Sequence, residues 1–124
     1  MNMNNSELTQ TPLPDLSYFY ATEQYFFNPL FPNFRYTDGV RYVATEGGAY
    51  WLIDSIFSTQ LLPAIRKQTF QSWTLKVKDC SAVLSCTNDN EQSVYSQNIS
   101  FTDFPLPEIT FWLVDKVLML PSEY

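Results

Sequence analysis

Histidine is absent from this chain of 124 residues. That removes the imidazole general base, the Ser-His and Cys-His nucleophile pairs, and the commonest protein metal ligand. No Gly-x-Ser-x-Gly elbow is present, so an activated serine is not supported either. Glycine occurs three times, and two of the three are adjacent at Gly47-Gly48, inside a helical pattern where they cannot form a phosphate loop. Cysteine occurs twice, at Cys80 and Cys86, around an expected turn that leaves the two out of register. A disulfide is therefore not expected, and reduced thiols fit a cytosolic protein.

Cations are scarce as well, with seven Lys and Arg against 13 Asp and Glu, a net charge of −6. Four of the seven, Arg66, Lys67, Lys76 and Lys78, form a local basic spot that reads as a solvated face, since a nucleic-acid footprint needs a net basic domain. The acidic excess repels nucleic acid and attracts basic protein surfaces. No apolar run approaches the roughly 18 residues that span a bilayer, and the N-terminus has neither a basic nor an apolar signal region. The expected location is the cytoplasm, with no membrane association.

What the chain does hold is apolar. Hydrophobic residues make up 45% and aromatics 17%, which is too apolar for an acidic disordered chain. Residues 1–14 are the exception: polar, ending in Pro12 and Pro14, they read as a flexible leader before a single domain over 15–124. Asp15 can cap a short helix, and nine aromatic residues follow between Tyr18 and Tyr36, interrupted by Asn28-Pro29 and Phe31-Pro32-Asn33. Most of these aromatics are expected in the core, the rest in a dimer or partner patch.

Thr37 or Asp38 can cap the next helix, along which Val40, Val43, Ala44, Gly47, Trp51 and Leu52 recur at steps of three and four. Ile53, Ile56 and Phe57 extend the apolar surface almost around the circumference, which predicts one buried central helix. Gly47-Gly48 within it implies a close backbone crossing or a break, and close packing is the reading adopted. From residue 68 the pattern alternates, with Trp73, Leu75 and Val77 on one face and Ser72, Thr74, Lys76 and Lys78 on the other. Further strands are expected over 82–87, 91–101 and 109–120, the last with a bulge or tight turn near Asp115. The predicted fold is α+β: N-terminal helices and one central buried helix packed on a roughly four-stranded antiparallel meander.

Two sets of polar residues are candidates for function. Glu46 and Asp54 could line a carboxylate pocket between helix and sheet, although an ideal helix sets them about 80° apart and two turns from one another. Asp38 reads more simply as a first-turn acid favoured by the helix dipole. The second set, Asp89, Glu91, Tyr95 and Asp103, is the expected partner-binding surface, exposed acids with one aromatic beside them. No catalytic residue, cofactor or metal is expected.

Four segments carry a resemblance: Tyr36-Thr37-Asp38-Gly39-Val40, Gly47-Gly48-Ala49-Tyr50-Trp51-Leu52-Ile53-Asp54, Thr102-Asp103-Phe104-Pro105-Leu106 and Leu120-Pro121-Ser122-Glu123-Tyr124. In them the chain resembles a family of small proteins found in bacteria, plasmids and phages, which carries no assigned activity. The resemblance implies one fold over about residues 16–124 and a link to mobile genetic elements. With the composition, it makes the expected function a non-enzymatic protein-interaction module, an accessory or anti-defence factor such as an anti-CRISPR inhibitor, that binds a basic surface on a nucleic-acid-handling protein. The alternative is a small enzyme or ligand-binding domain using Glu46 and Asp54; a homodimer is a third arrangement.

Overall fold

A computed structural model describes residues 24–124. The leader at 1–14 and the helix expected at Asp15 lie outside the described residues. Seven strands form one mixed sheet: β1 (Tyr25–Phe26), β2 (Arg35–Thr37), β3 (Phe70–Lys78), β4 (Ser81–Thr87), β5 (Ser93–Ile99), β6 (Glu108–Val114) and β7 (Val117–Met119), in the order β1-β2-β7-β6-β3-β4-β5. Three short helices, α1 (Asp38–Gly47), α2 (Tyr50–Thr59) and α3 (Pro63–Arg66), carry the chain from β2 to β3, with α1 near β7 and α3 near β5. The class is α+β, but a central helix on a four-stranded antiparallel meander is not what forms.

Each departure has a local cause. The predicted helix breaks at Gly48, which takes a left-handed conformation at φ 62°, ψ 39° and donates its N–H to the Ala44 carbonyl, as a glycine at a helix end does. Two ten-residue helices replace one long helix. Gly47 meets the other expectation for the pair, because a Cβ there would lie 2.8 Å from the Phe104 ring. β1 and β2 have two and three residues, too few for alternation to register, and β2 pairs in parallel with β7 some eighty positions away. The run over 109–120 folds into β6 and β7 through Asp115 and Lys116, both at positive φ (52° and 66°) and flanked by the paired residues Val114 and Val117. That is the twist a two-residue hairpin needs.

The helices cover one face of the sheet. Val40, Val43 and Ala44 of α1, Leu52, Ile53, Ile56 and Phe57 of α2, and Ile65 of α3 are buried against Trp73, Leu75, Leu84, Cys86, Phe111, Leu113 and Leu118. Burial of a large side chain such as Phe57 contributes about 1.5–3 kcal/mol before conformational entropy is subtracted. Alternate residues on the other face are partly exposed, among them Thr74 and Thr110, whose hydroxyls hydrogen-bond across β3 and β6 at 3.1 Å. No helix among the described residues is long and apolar enough to cross a membrane.

Candidate functional site

At one end of the helix–sheet interface lies a cleft of about 400 Å³. One wall is aromatic. Phe34 stacks on Phe57 at 5.2 Å between centroids, and Phe31 meets the same ring edge-on at 5.9 Å. The loop that presents Phe31 and Phe34 is pinned at both ends. Asn28 accepts from the Leu30 N–H through its side-chain oxygen and donates from its amide to Asp54 Oδ1 at 2.9 Å. At the other end Arg35 Nη1 donates to the carbonyls of Pro32 and Phe34.

The base is an amide pair. Gln60 follows α2 and Gln71 lies on the covered face of β3, and both are buried. Gln60 Nε2 donates to Gln71 Oε1 at 2.8 Å while Gln71 Nε2 donates to Gln60 Oε1 at 2.9 Å. The remaining donors reach backbone carbonyls: Gln60 to Ile56, and Gln71 to Ile65 and Gln68. Trp73 Nε1 completes the group by donating to Gln71 Oε1 at 2.9 Å. Buried amides so fully used hold α2, α3 and β3 together.

The rim is charged, with two cations, Arg66 and Lys116, and one acid, Asp115. Arg66 at the end of α3 makes one long bond, from Nη1 to the Gln60 carbonyl at 3.4 Å. Lys116 stands on the β6–β7 turn beside Asp115. Neither Arg66 nor Lys116 is ion-paired among the described residues. An apolar slot with two available cations at its mouth suits a ligand that has an apolar body and an anionic head.

The residues expected at a site fall elsewhere. Glu46 and Asp54 are exposed on separate helices and neither lines the cleft; Asp54 serves it indirectly, by holding the Asn28 end of the aromatic loop. Asp89 and Glu91 are exposed in the β4–β5 turn, which Asn88 organises by accepting from the N–H groups of Asn90 and Gln92. Tyr95 is half-buried on β5, its ring 5.5 Å from Trp73 and its hydroxyl donating to Gln97. Asp103 lies past the opposite end of β5, so the strand separates it from Asp89 and Glu91 by roughly 20 Å. Sequence reasoning missed Gln60, Gln71 and Lys116, and left Arg66 on a solvated face. No spacing in the sequence joins these four.

Cys86 is buried on β4, and burial pushes its thiol up to about 12, so it stays protonated and unreactive at neutral pH. Cys80 is exposed in the β3–β4 turn. Among the described residues no group of three acids or cysteines could hold a metal ion.

The four family-like segments meet in pairs. Glu123, in the 3-10 turn Pro121–Glu123, accepts from Thr37 Oγ1 at 2.6 Å and from the N–H groups of Gly39 and Leu120. Gly47 packs against Phe104 and Pro105. The fold is thus that of a small α+β protein with a mixed sheet, helices on one face, and an open cleft at one end. The chain belongs to a family of unknown function, DUF6876, whose model matches residues 10–124. No curated protein and no solved structure matches it.

Proposed function

We propose that this protein is a non-enzymatic binding domain for a small amphipathic anion, an aryl or acyl carboxylate, held in the cleft. The observation that carries this reading is that two unpaired cations, Arg66 and Lys116, against one acid, Asp115, line the same cleft as Phe31, Phe34 and Phe57. At about 400 Å³ the cleft is at the small end of ligand pockets, which fits one ring or a short acyl chain. The apolar body supplies affinity by leaving water, and the carboxylate fixes orientation through charge-assisted bonds.

The test is a fluorescence titration with 1-anilinonaphthalene-8-sulfonate, an aromatic anion, followed by displacement with phenylacetate, octanoate and the neutral phenylacetamide. Phenylacetate and octanoate should displace the probe, and phenylacetamide should be weaker by about tenfold or more, the difference one charge-assisted contact makes. Arg66→Met with Lys116→Met, two exposed positions, should abolish the preference and leave the unfolding temperature unchanged. Equal displacement by acid and amide, or an unchanged preference in the double variant, would reject the reading.

A further inference from the structure

A second surface shares no residue with the cleft. β5 ends the sheet order, with β4 its one strand partner and α3 near it among the described residues. Natural edge strands are usually short, charged, bulged or broken by proline, because a bare edge pairs with other chains. The opposite edge, β1, is short at two residues. β5 has seven, Ser-Val-Tyr-Ser-Gln-Asn-Ile, with no charge, no proline and no glycine. A bulge at Val94 interrupts its start, where Cys86 pairs with Tyr95 and Thr87 with Ser93, but residues 95–99 keep a regular register, and Ser93, Ser96, Gln97 and Asn98 are exposed.

Just past its end the chain is fastened. The Thr102 N–H donates to the Cys80 carbonyl at 2.7 Å, the Phe104 N–H donates to Thr102 Oγ1, and Phe104 is buried under Gly47. This leaves Phe101 pointing outward, 69% exposed, with Asp103 exposed beyond it. Together with Ile99, Gly48 and Trp51 they border a groove of about 250 Å³ continuous with the end of β5. A Cβ added at Gly48 would meet no atom within 4 Å, so open space lies in front of that residue. Asp103 has no side-chain partner among the described residues. Two aromatic side chains and one unpaired carboxylate in a groove form a seat for a cationic side chain.

We infer that β5 takes up an extended segment of a basic partner protein by strand addition, with a Lys or Arg of that segment seated between Trp51, Phe101 and Asp103. Main-chain bonds along β5 supply affinity without regard to sequence, and the groove supplies the choice of a basic residue. The chain's net charge of −6 favours the approach of such a partner.

The test uses the full-length, ¹⁵N-labelled protein and a short acetylated threonine–valine peptide carrying one arginine, with norleucine and proline-interrupted versions for comparison. Binding should shift the backbone amides of residues 93–99 and the Trp51 indole N–H. The norleucine peptide should bind about tenfold more weakly, and the proline-interrupted peptide should fail. Asp103→Asn and Phe101→Ala, both at exposed positions, should lose the arginine preference while keeping the rest of the spectrum. Equal affinity for arginine and norleucine, shifts confined to other residues, or an unaffected Asp103→Asn would overturn the proposal. A sedimenting dimer that resists the peptide would overturn it too, by giving the edge to a second copy of the chain.

Discussion

Thr37 Oγ1 donates to Glu123 Oε1 at 2.6 Å across 86 residues of sequence, while the same oxygen accepts from the Val40 N–H at 3.2 Å. One hydroxyl thereby caps α1 and ties the C-terminal turn to it. Gly39 makes this possible: a Cβ at position 39 would lie 2.7 Å from Glu123 Oε2. The carboxylate also sits at the N-terminus of α1, where its charge is favoured by the helix dipole.

Glu123 makes the latch sensitive to pH. Burial raises its carboxyl above the ordinary value of 4.5; the Thr37 and Leu120 bonds pull it down, and the neighbouring Asp38 carboxyl pushes it up. A carboxyl whose folded value is raised binds its proton more tightly in the native state. The part of the stability linked to that proton is therefore complete below the unfolded value near 4.5 and is lost as pH rises through the raised folded value, while the hydrogen bonds the carboxylate accepts remain. Chemical denaturation at a series of pH values should show this decline, and Glu123→Gln should remove that part of the profile. Glu123→Ala, which deletes three accepted hydrogen bonds, should cost about 1–3 kcal/mol at neutral pH.

The two adjacent glycines should respond to alanine for different reasons. At position 47 the methyl group meets the Phe104 ring at 2.8 Å, and overpacking of this kind costs about 1–3 kcal/mol. Position 48 has room for the methyl group, so the cost there is the left-handed backbone alone, about 1–2 kcal/mol. Thermal unfolding of both variants with and without Phe104→Leu separates them. The smaller residue at 104 should recover part of the loss in Gly47→Ala and none in Gly48→Ala.

Gln71→Leu should be among the more damaging single substitutions at the base of the cleft. It strands the Gln60 amide and the Trp73 indole N–H in a buried place, at about 1–3 kcal/mol for each unsatisfied group. Replacing Gln60 and Gln71 together by leucine should cost less than the two single changes added, because each single change leaves its partner unpaired. A double-mutant cycle by urea denaturation measures the difference.

The parts of the fold with a long local signal were legible. The alternation Trp73, Leu75, Val77 gave β3 and its covered face, Asp79 and Cys80 of the turn expected at 79–81 and the turn residues 88–90 fall between strands, and the α1 start was readable from Thr37 and Asp38. These elements are specified by side-chain periodicity and capping within a few residues, which a sequence displays directly.

Tertiary structure decided the rest. Whether Gly47-Gly48 would break the helix or pack it closely depended on a backbone conformation and on Phe104, and both outcomes occur, one at each residue. The two- and three-residue strands β1 and β2 exist because β7 offers β2 a parallel partner, a pairing no local pattern encodes. The cleft gathers Phe31, Phe34, Phe57, Gln60, Arg66, Gln71 and Lys116 from a loop, two helices, a strand and a hairpin turn. Charge and aromaticity are written in the chain, but their convergence is set by which distant elements pack together.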